Sequence, residues 1–306
     1  MKGSNAHWYV WGQYVAVAAA YEAVYEITYH LSPPQFLLTT GLRLACMLLL
    51  PMRFWLAIAL GECVPLIENA VFCAEKFGMA WAFLVSIPTV GIWWPALQSI
   101  RTRWPLNDSD GRLRMHVFLG ATFCVSVLTA VTITVTWLAA TMNVPGKFPS
   151  HEPVQILVSY LLGAYLGALT LTPVILALRE RFRANGSLIT IHAIWRSTLL
   201  RDVIWWVAPT LAALVWFTLS TLDEPSREVA RFALLWPVLG LTWRHGWHGT
   251  AIGGMMASFA LASTASGPFD SDTLKVQVVL ALVLSGALVA GARSREVAAM
   301  VQINRS

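Results

Sequence analysis

The sequence predicts an all-α fold, a polytopic integral membrane helix bundle of about ten transmembrane helices with both termini in the cytoplasm. The composition indicates a protein embedded in the lipid bilayer. Of its 306 residues, 57% are hydrophobic and 12% are charged, against roughly 25% charged residues in soluble domains. The mean hydropathy is +0.62. Apolar segments recur along the whole chain, and Lys and Arg are divided unequally between the two sides that these segments would separate.

Ten apolar segments approach the roughly 20 residues that a helix needs to span a bilayer. They lie near residues 9–29, 36–51, 54–72, 79–98, 115–140, 154–178, 202–220, 228–244, 249–266 and 274–292. The second and third are short and are separated only by the tripeptide PMR, so a hairpin or a re-entrant pair is an alternative there. The first is long enough to span and is followed by many others, which predicts that it stays in the mature chain.

Lys and Arg set the orientation. With a cytoplasmic N-terminus, 15 of the 21 lie in inner loops and ends and five on the outer side, while Arg43 lies inside a span. Cytoplasmic loops carry the excess of these residues, so the count supports ten helices. The net charge of +5 then faces anionic lipid headgroups, and no nucleic-acid partner is expected. Polar stretches are loop-sized, which predicts one membrane domain over residues 1–292 and the start of a cytoplasmic helix or linker over 293–306.

Ionisable side chains interrupt the first apolar segment. Residues 21–30 read YEAVYEITYH, and the glutamates and the histidine recur at every fourth position on one helix face. Tyrosines flank that face. Charges inside a membrane are costly and usually pair with one another or mark a functional site. This segment therefore predicts a polar cluster in the outer half of the bundle.

Arg43 is the natural partner for these carboxylates when depth is counted from the outer ends of the helices. At 1.5 Å per residue, Arg43 comes to a level between Glu22 and Glu26, and Glu68 reaches a similar level in the third segment, while Glu62 lies deeper. The sequence therefore predicts that Arg43 pairs with Glu22 or Glu26 and leaves an acidic surplus.

Three interpretations of this surplus remain open. The first is a structural ion pair, with the other acids reaching the outer interface. The second is a periplasm-facing pocket in which a ligand, a cation or a proton alters the pairing and biases helix packing. The candidate ligand-binding residues are Glu22, Tyr25, Glu26, Tyr29, His30, Arg43 and Glu68. The third is a metal site of Glu22, Glu26 and His30, which their separation along the helix disfavours, so no metal or other cofactor is expected.

Small residues predict close helix packing in the second half of the chain. The predicted packing or hinge residues are Gly163, Gly167, Pro173, Gly246, Gly249 and Gly253. The first two and the last two of these glycines lie four residues apart, so that a neighbouring backbone can approach the helix face. Pro173 removes a backbone donor and favours a kink. The basic turn RHGWHG, residues 244–249, is expected to contact lipid headgroups.

Several stretches together resemble one family. They are LLGAYLGALTLTPVILAL, WPVLGLTWRHGWHGTAIGG, SGPF and MRFWLAIALGE. They resemble the motifs of the first-described class, type one, of MASE domains, from about Leu37 to Ala292. The matching positions are Arg53, Trp55, Gly61, Gly163, Gly167, Thr172, Pro173, Arg244, Gly246, Gly249, Gly267, Pro268 and Phe269. Ala164 departs from the family, which usually has an acidic residue there, and the family is often described with eight spans.

The resemblance implies the integral-membrane sensor domain of a bacterial histidine kinase or cyclic-di-GMP enzyme in the inner membrane. Such a domain detects a periplasmic or membrane-borne stimulus and passes it to a kinase or cyclase output domain in the same chain or in a partner, and a homodimer is expected. No catalytic residues are expected, since no phosphorylation box, GGDEF motif or nucleotide-binding loop appears. The alternative is a small-solute or ion transporter, which does not need a rigid helical exit through RSREVAAMVQINRS.

Overall fold

The computed structural model describes residues 2–33, 36–106, 108, 113–143, 152–184, 197–221, 223–265 and 271–303. Gly267, Pro268 and Phe269 lie outside these residues. The helices are α1 (Lys2–Leu31), α2 (Leu38–Leu49), α3 (Trp55–Phe77), α4 (Met79–Val85), α5 (Thr89–Arg103), α6 (Met115–Asn143), α7 (Pro153–Ala184), α8 (Thr198–Asp202), α9 (Ala208–Ser220), α10 (Glu224–Ala233), α11 (Trp236–His245), α12 (Trp247–Ser263) and α13 (Ser271–Ile303). A 3-10 turn, Met52–Phe54, precedes α3, and a π-helical turn, Val203–Val207, joins α8 to α9.

The predicted membrane helix bundle is confirmed, and each of the ten predicted segments coincides with one helix or with a consecutive pair. Within the described residues, five stretches are long and apolar enough to cross a bilayer. They are residues 52–77, 115–143, 153–183, 198–220 and 273–293. The pair α4 and α5, bent by 40°, makes a sixth if it counts as one span, and α2 is a shorter apolar helix. The number ten and the cytoplasmic termini stay predictions.

Two compact units divide the chain, the first formed by residues 1–32 and 38–164 and the second by residues 33–37 and 165–306. In the first unit α1 packs along α3. A Cβ atom on Gly61 would lie 2.5 Å from the carbonyl oxygen of Ala18, so only a glycine lets the two backbones come this close. Trp55 and Trp93 fill the core beside them and are fully buried.

In the first unit, the side chain of Arg101 from α5 binds the C-terminal end of α2. Its guanidinium donates to the carbonyl oxygens of Met47 at 2.6 Å and Leu50 at 2.8 Å. These carbonyls belong to the last turn of the helix and the residue just beyond it, where no backbone N–H is available within the helix. A cation is also favoured at this negative end of the helix dipole. Arg101 therefore anchors the hairpin between α2 and α3.

The second unit is built on close approaches at glycine. Gly246 has a φ of +63°, which an L side chain rarely adopts, and it separates α11 from α12 by one residue. A Cβ atom on Gly249 would collide with the carbonyl oxygen of Leu241, and one on Gly291 of α13 would collide with the backbone nitrogen of Trp247. A Cβ atom on Gly167 of α7 would meet the carbonyl of Leu37. Leu37, just before α2, is therefore packed directly on α7.

Candidate functional site

A buried ion pair organises the helices around the site. Arg43 in α2 is 3% exposed and Glu62 in α3 is 0% exposed, and the guanidinium Nη2 of Arg43 donates to Oε1 of Glu62. The second carboxylate oxygen accepts the backbone N–H of Val90 at 3.0 Å. Val90 lies in the first turn of α5, where N–H groups lack helical partners and the dipole favours an anion. Glu62 thereby ties α2, α3 and α5 together.

This geometry corrects the predicted pairing, because Arg43 binds Glu62 and not Glu22 or Glu26. The face of Trp93 lies 4.8 Å from Arg43 Cζ, so the cation is held between a carboxylate and an aromatic ring. Counting depth from the hairpin between α2 and α3 gives the correct partner. Arg43 lies six residues before the end of α2 and Glu62 seven residues after the start of α3, which puts both at about 10 Å from the hairpin.

A pocket of about 230 Å³ opens between α1 and α3, nearer the C-terminal ends of both helices. From α1 it is lined by Tyr25, Glu26 and Tyr29. From α3 it is lined by Pro65, Leu66, Glu68, Asn69 and Phe72. The structure therefore brings together four of the seven candidate residues, namely both tyrosines and the carboxylates of positions 26 and 68. Proline, leucine and phenylalanine make the rest of the wall apolar, with one amide beside the carboxylates.

The tyrosines form a continuous aromatic wall. The ring centroids of Tyr21 and Tyr25 lie 6.0 Å apart, and those of Tyr25 and Tyr29 lie 6.4 Å apart with planes inclined by only 9°. Tyr25 is 6% exposed. No hydrogen-bond partner for its hydroxyl occurs among the described residues. Although the side chain is largely buried, its hydroxyl is not among the fully buried unpaired groups of the described residues, so it is open to the pocket and available to whatever enters it.

The remaining candidate residues do not line the pocket. His30 Nδ1 is 2.8 Å from the backbone carbonyl oxygen of Glu26 and 3.5 Å from its carboxylate, so the imidazole contacts the preceding turn of its own helix. Glu22 is half-buried and does not line the pocket, and neither does Arg43. In the described part of the chain, no three His, Cys, Asp or Glu side chains come close enough together to hold a metal ion.

A second polar cluster, in the second unit, escaped the sequence analysis. Asp202 at the end of α8 accepts from Arg244 Nη1 at 3.0 Å and lies 2.8 Å from His245 Nε2. Contact of the basic turn with lipid headgroups stays a prediction, and these two of its side chains bind a carboxylate 42 and 43 residues earlier in the chain. His248 also lies 3.2 Å from a carboxylate oxygen of Glu180. The cluster holds the turn that packs on Gly291 of α13.

The MASE1 family model matches residues 10–297, which is nearly the whole chain. Comparisons with curated proteins and with solved structures give no match. MASE1 domains are multi-span, membrane-associated sensory domains, and the apolar helices described above are those that such a domain requires. Since the match covers nearly the whole chain, from α1 to α13, the chain belongs to the MASE1 family of membrane sensor domains.

Proposed function

We propose that the protein is the sensory input module of a bacterial signal-transduction protein of the inner membrane, and that its stimulus acts in the pocket between α1 and α3. Apart from the family match, the main observation that supports the sensory role is the length of α13. This helix runs without a break for 33 residues, from Ser271 to Ile303, or about 50 Å. The hydrocarbon core of a bilayer is about 30 Å thick, so a helical extension is available to couple to a kinase or cyclase output domain.

The pocket is suited to bias helix packing because one of its two helices, α3, also carries the buried ion pair. Glu68 lies six residues beyond Glu62 on α3, about 9 Å along the helix. An occupant that draws α1 towards α3, or separates them, acts on a helix joined to α2 and α5 through Glu62. A ligand shifts such an equilibrium only by its differential affinity for the two packings.

The connector after α1 offers a covalent route to the second unit. Tyr29 lines the pocket, and residues 33–37, which follow α1, belong to the second unit. In that unit the carbonyl of Leu37 packs on Gly167 of α7. Leu37, six residues after the end of α1, is therefore held against the backbone of α7 within the second unit.

Rotational phase at the end of α13 tests the sensory function. One to four alanines are inserted after Glu296 in a chain fused in frame to a diguanylate cyclase, and the cyclase activity is measured in membranes. Each residue rotates the helix by about 100°, so one and two insertions are expected to change the activity strongly and four to restore most of it. Equal activity of all four insertions contradicts the proposal and favours a transporter with a flexible tether.

Reporter fusions test the orientation. Fusions after residues 110 and 190 are expected to read cytoplasmic, and a fusion near residue 149 periplasmic, because this orientation leaves the Lys and Arg excess inside. The pocket then opens towards the periplasmic side, since α1 and α3 would both run outward. An inversion of any one of the three reporters contradicts this topology.

A further inference from the structure

We infer that the pocket between α1 and α3 is a binding site for a small organic ammonium ion that carries an apolar group. The inference rests on the proposed function and adds the chemical class of the stimulus. Four features of the lining support it: the charge, the aromatic wall, the unsatisfied hydroxyl and the apolar remainder.

The charge of the lining selects a cation. Two of its eight residues are carboxylates, Glu26 and Glu68, and none is Lys or Arg. Arg43, the cation of the neighbouring ion pair, is committed to Glu62. Glu68 is exposed and has no ion-pair partner in the part of the chain that the structure describes. His30 lies 3.5 Å from the carboxylate of Glu26 and packs edge-on against the ring of Tyr29, but does not itself line the pocket.

The aromatic wall favours an ammonium group over a bare metal ion. Tyr25 and Tyr29 present nearly parallel rings, and the face of an aromatic ring attracts ammonium ions within about 6 Å of its centroid. Calcium and magnesium instead require six or more oxygen ligands in a closed shell. The described residues offer no cluster of metal-binding side chains, and an aromatic and apolar wall would contribute nothing to coordination.

Tyr25 gives independent evidence for a ligand. Its side chain is more than nine-tenths buried, lines the pocket, and has no hydrogen-bond partner among the described residues. An ammonium N–H can donate to the phenolic oxygen while its charge is shared by the carboxylates at the rim. The ligand thereby satisfies a group that the protein alone leaves unpaired.

The apolar remainder and the size of the pocket limit the occupant. Pro65, Leu66 and Phe72 offer no hydrogen bond to a polyol or a sugar. The volume of about 230 Å³ lies below the roughly 300–1,000 Å³ of pockets for drug-sized ligands. A small amine with one hydrocarbon or aromatic substituent matches both the size and the two chemistries of the wall.

Binding of phenethylammonium to the purified full chain in lipid nanodiscs tests the inference, with 2-phenylethanol as a neutral probe of similar shape. Calorimetry is expected to detect the ammonium ion and to show at least tenfold weaker binding of the alcohol. Glu68→Gln and Tyr25→Phe are each expected to weaken ammonium binding about fivefold or more. Glu75→Gln, which neutralises an exposed carboxylate of α3 outside the pocket, is expected to change it less than twofold.

Each outcome decides a separate question. Equal binding of the two probes, no binding at millimolar concentration, or equal effects of Glu68→Gln and Glu75→Gln would overturn the ligand class. If the alanine insertions in α13 still modulate the cyclase in that case, the sensory function stands and only the ligand is wrong. If the ammonium ion binds as expected and the insertions have no effect, the site stands and the sensory function fails.

Discussion

Two glutamates of α3, six residues apart, lie in opposite environments. Glu62 is fully buried, binds Arg43 and accepts the N–H of Val90, so both of its oxygens are satisfied. Glu68 is exposed at the pocket and has no ion-pair partner among the described residues. A carboxylate that the protein satisfies itself stabilises the fold, whereas one left open at a pocket is available to a ligand. The comparison separates scaffold from site on a single helix.

The same substitution at both positions gives the largest expected contrast. Glu62→Gln leaves Arg43 as a buried, uncompensated charge, and breaking a buried pair in this way costs about 3–5 kcal/mol. Glu68→Gln changes an exposed side chain and is expected to cost less than about 0.5 kcal/mol. The melting temperature and the folded yield after detergent extraction measure both effects. Similar losses for the two variants would contradict the distinction.

A double variant sharpens this result. Arg43→Leu alone is expected to reduce the folded yield as strongly as Glu62→Gln, since it strands the buried carboxylate. Combining Arg43→Leu with Glu62→Leu removes both charges, and apolar replacement of a whole buried pair is often neutral. The double variant is therefore expected to recover part of the yield. A folded yield of the double variant below that of either single variant would contradict this expectation and show that the pair contributes more than charge neutralisation.

The next largest loss of stability is expected at Gly61, where the backbones of α1 and α3 are in contact. Gly61→Ala places a methyl group against the backbone of Ala18, and overpacking of this kind costs about 1–3 kcal/mol. Because α1 and α3 also enclose the pocket, the variant is expected to weaken binding of phenethylammonium. Gly12→Ala is the matched control, since a Cβ atom there meets nothing within 4 Å. Equal melting temperatures of the two variants would contradict a close approach of α1 and α3.

Local patterns predicted the apolar helices and four of the eight residues that line the pocket, but they did not predict the long-range pairs. Tyr25, Glu26 and Tyr29 share a helix face through local spacing alone, so their convergence follows from the period of the helix. The predicted partner of Arg43 depends on the end of the helices from which depth is counted. Counting from the predicted outer ends gave Glu22 or Glu26, which is wrong. Asp202 could not be assigned to the basic turn at all, because 42 residues separate it from Arg244 and nothing in the local sequence marks the contact.

Asp202 is intermediate between Glu62 and Glu68 in burial, and its substitution is expected to have an intermediate effect on stability. Its side chain is 15% exposed and binds His245 and the more exposed Arg244, so it is less buried than Glu62 and better paired than Glu68. Asp202→Asn keeps the shape and weakens two charge-assisted contacts, which is expected to cost about 1–2 kcal/mol. Thermal unfolding in low and high salt measures this, and the difference from the native chain is expected to shrink as salt rises. A loss as large as that of Glu62→Gln would contradict the ranking.

The smallest effect on stability is expected within α1, where two glutamates one helical turn apart differ in access to the pocket. Glu26 lines the pocket and Glu22 does not, and both are half-buried. Changing either to Gln is expected to alter the free energy of unfolding by less than about 0.5 kcal/mol. In a cyclase fusion, Glu26→Gln is expected to abolish the change in activity on addition of phenethylammonium or to lock the output in one state. Glu22→Gln is expected to respond like the native chain. If Glu26→Gln folds and responds normally, the pocket is part of the scaffold, and α1 takes part in sensing through its packing alone.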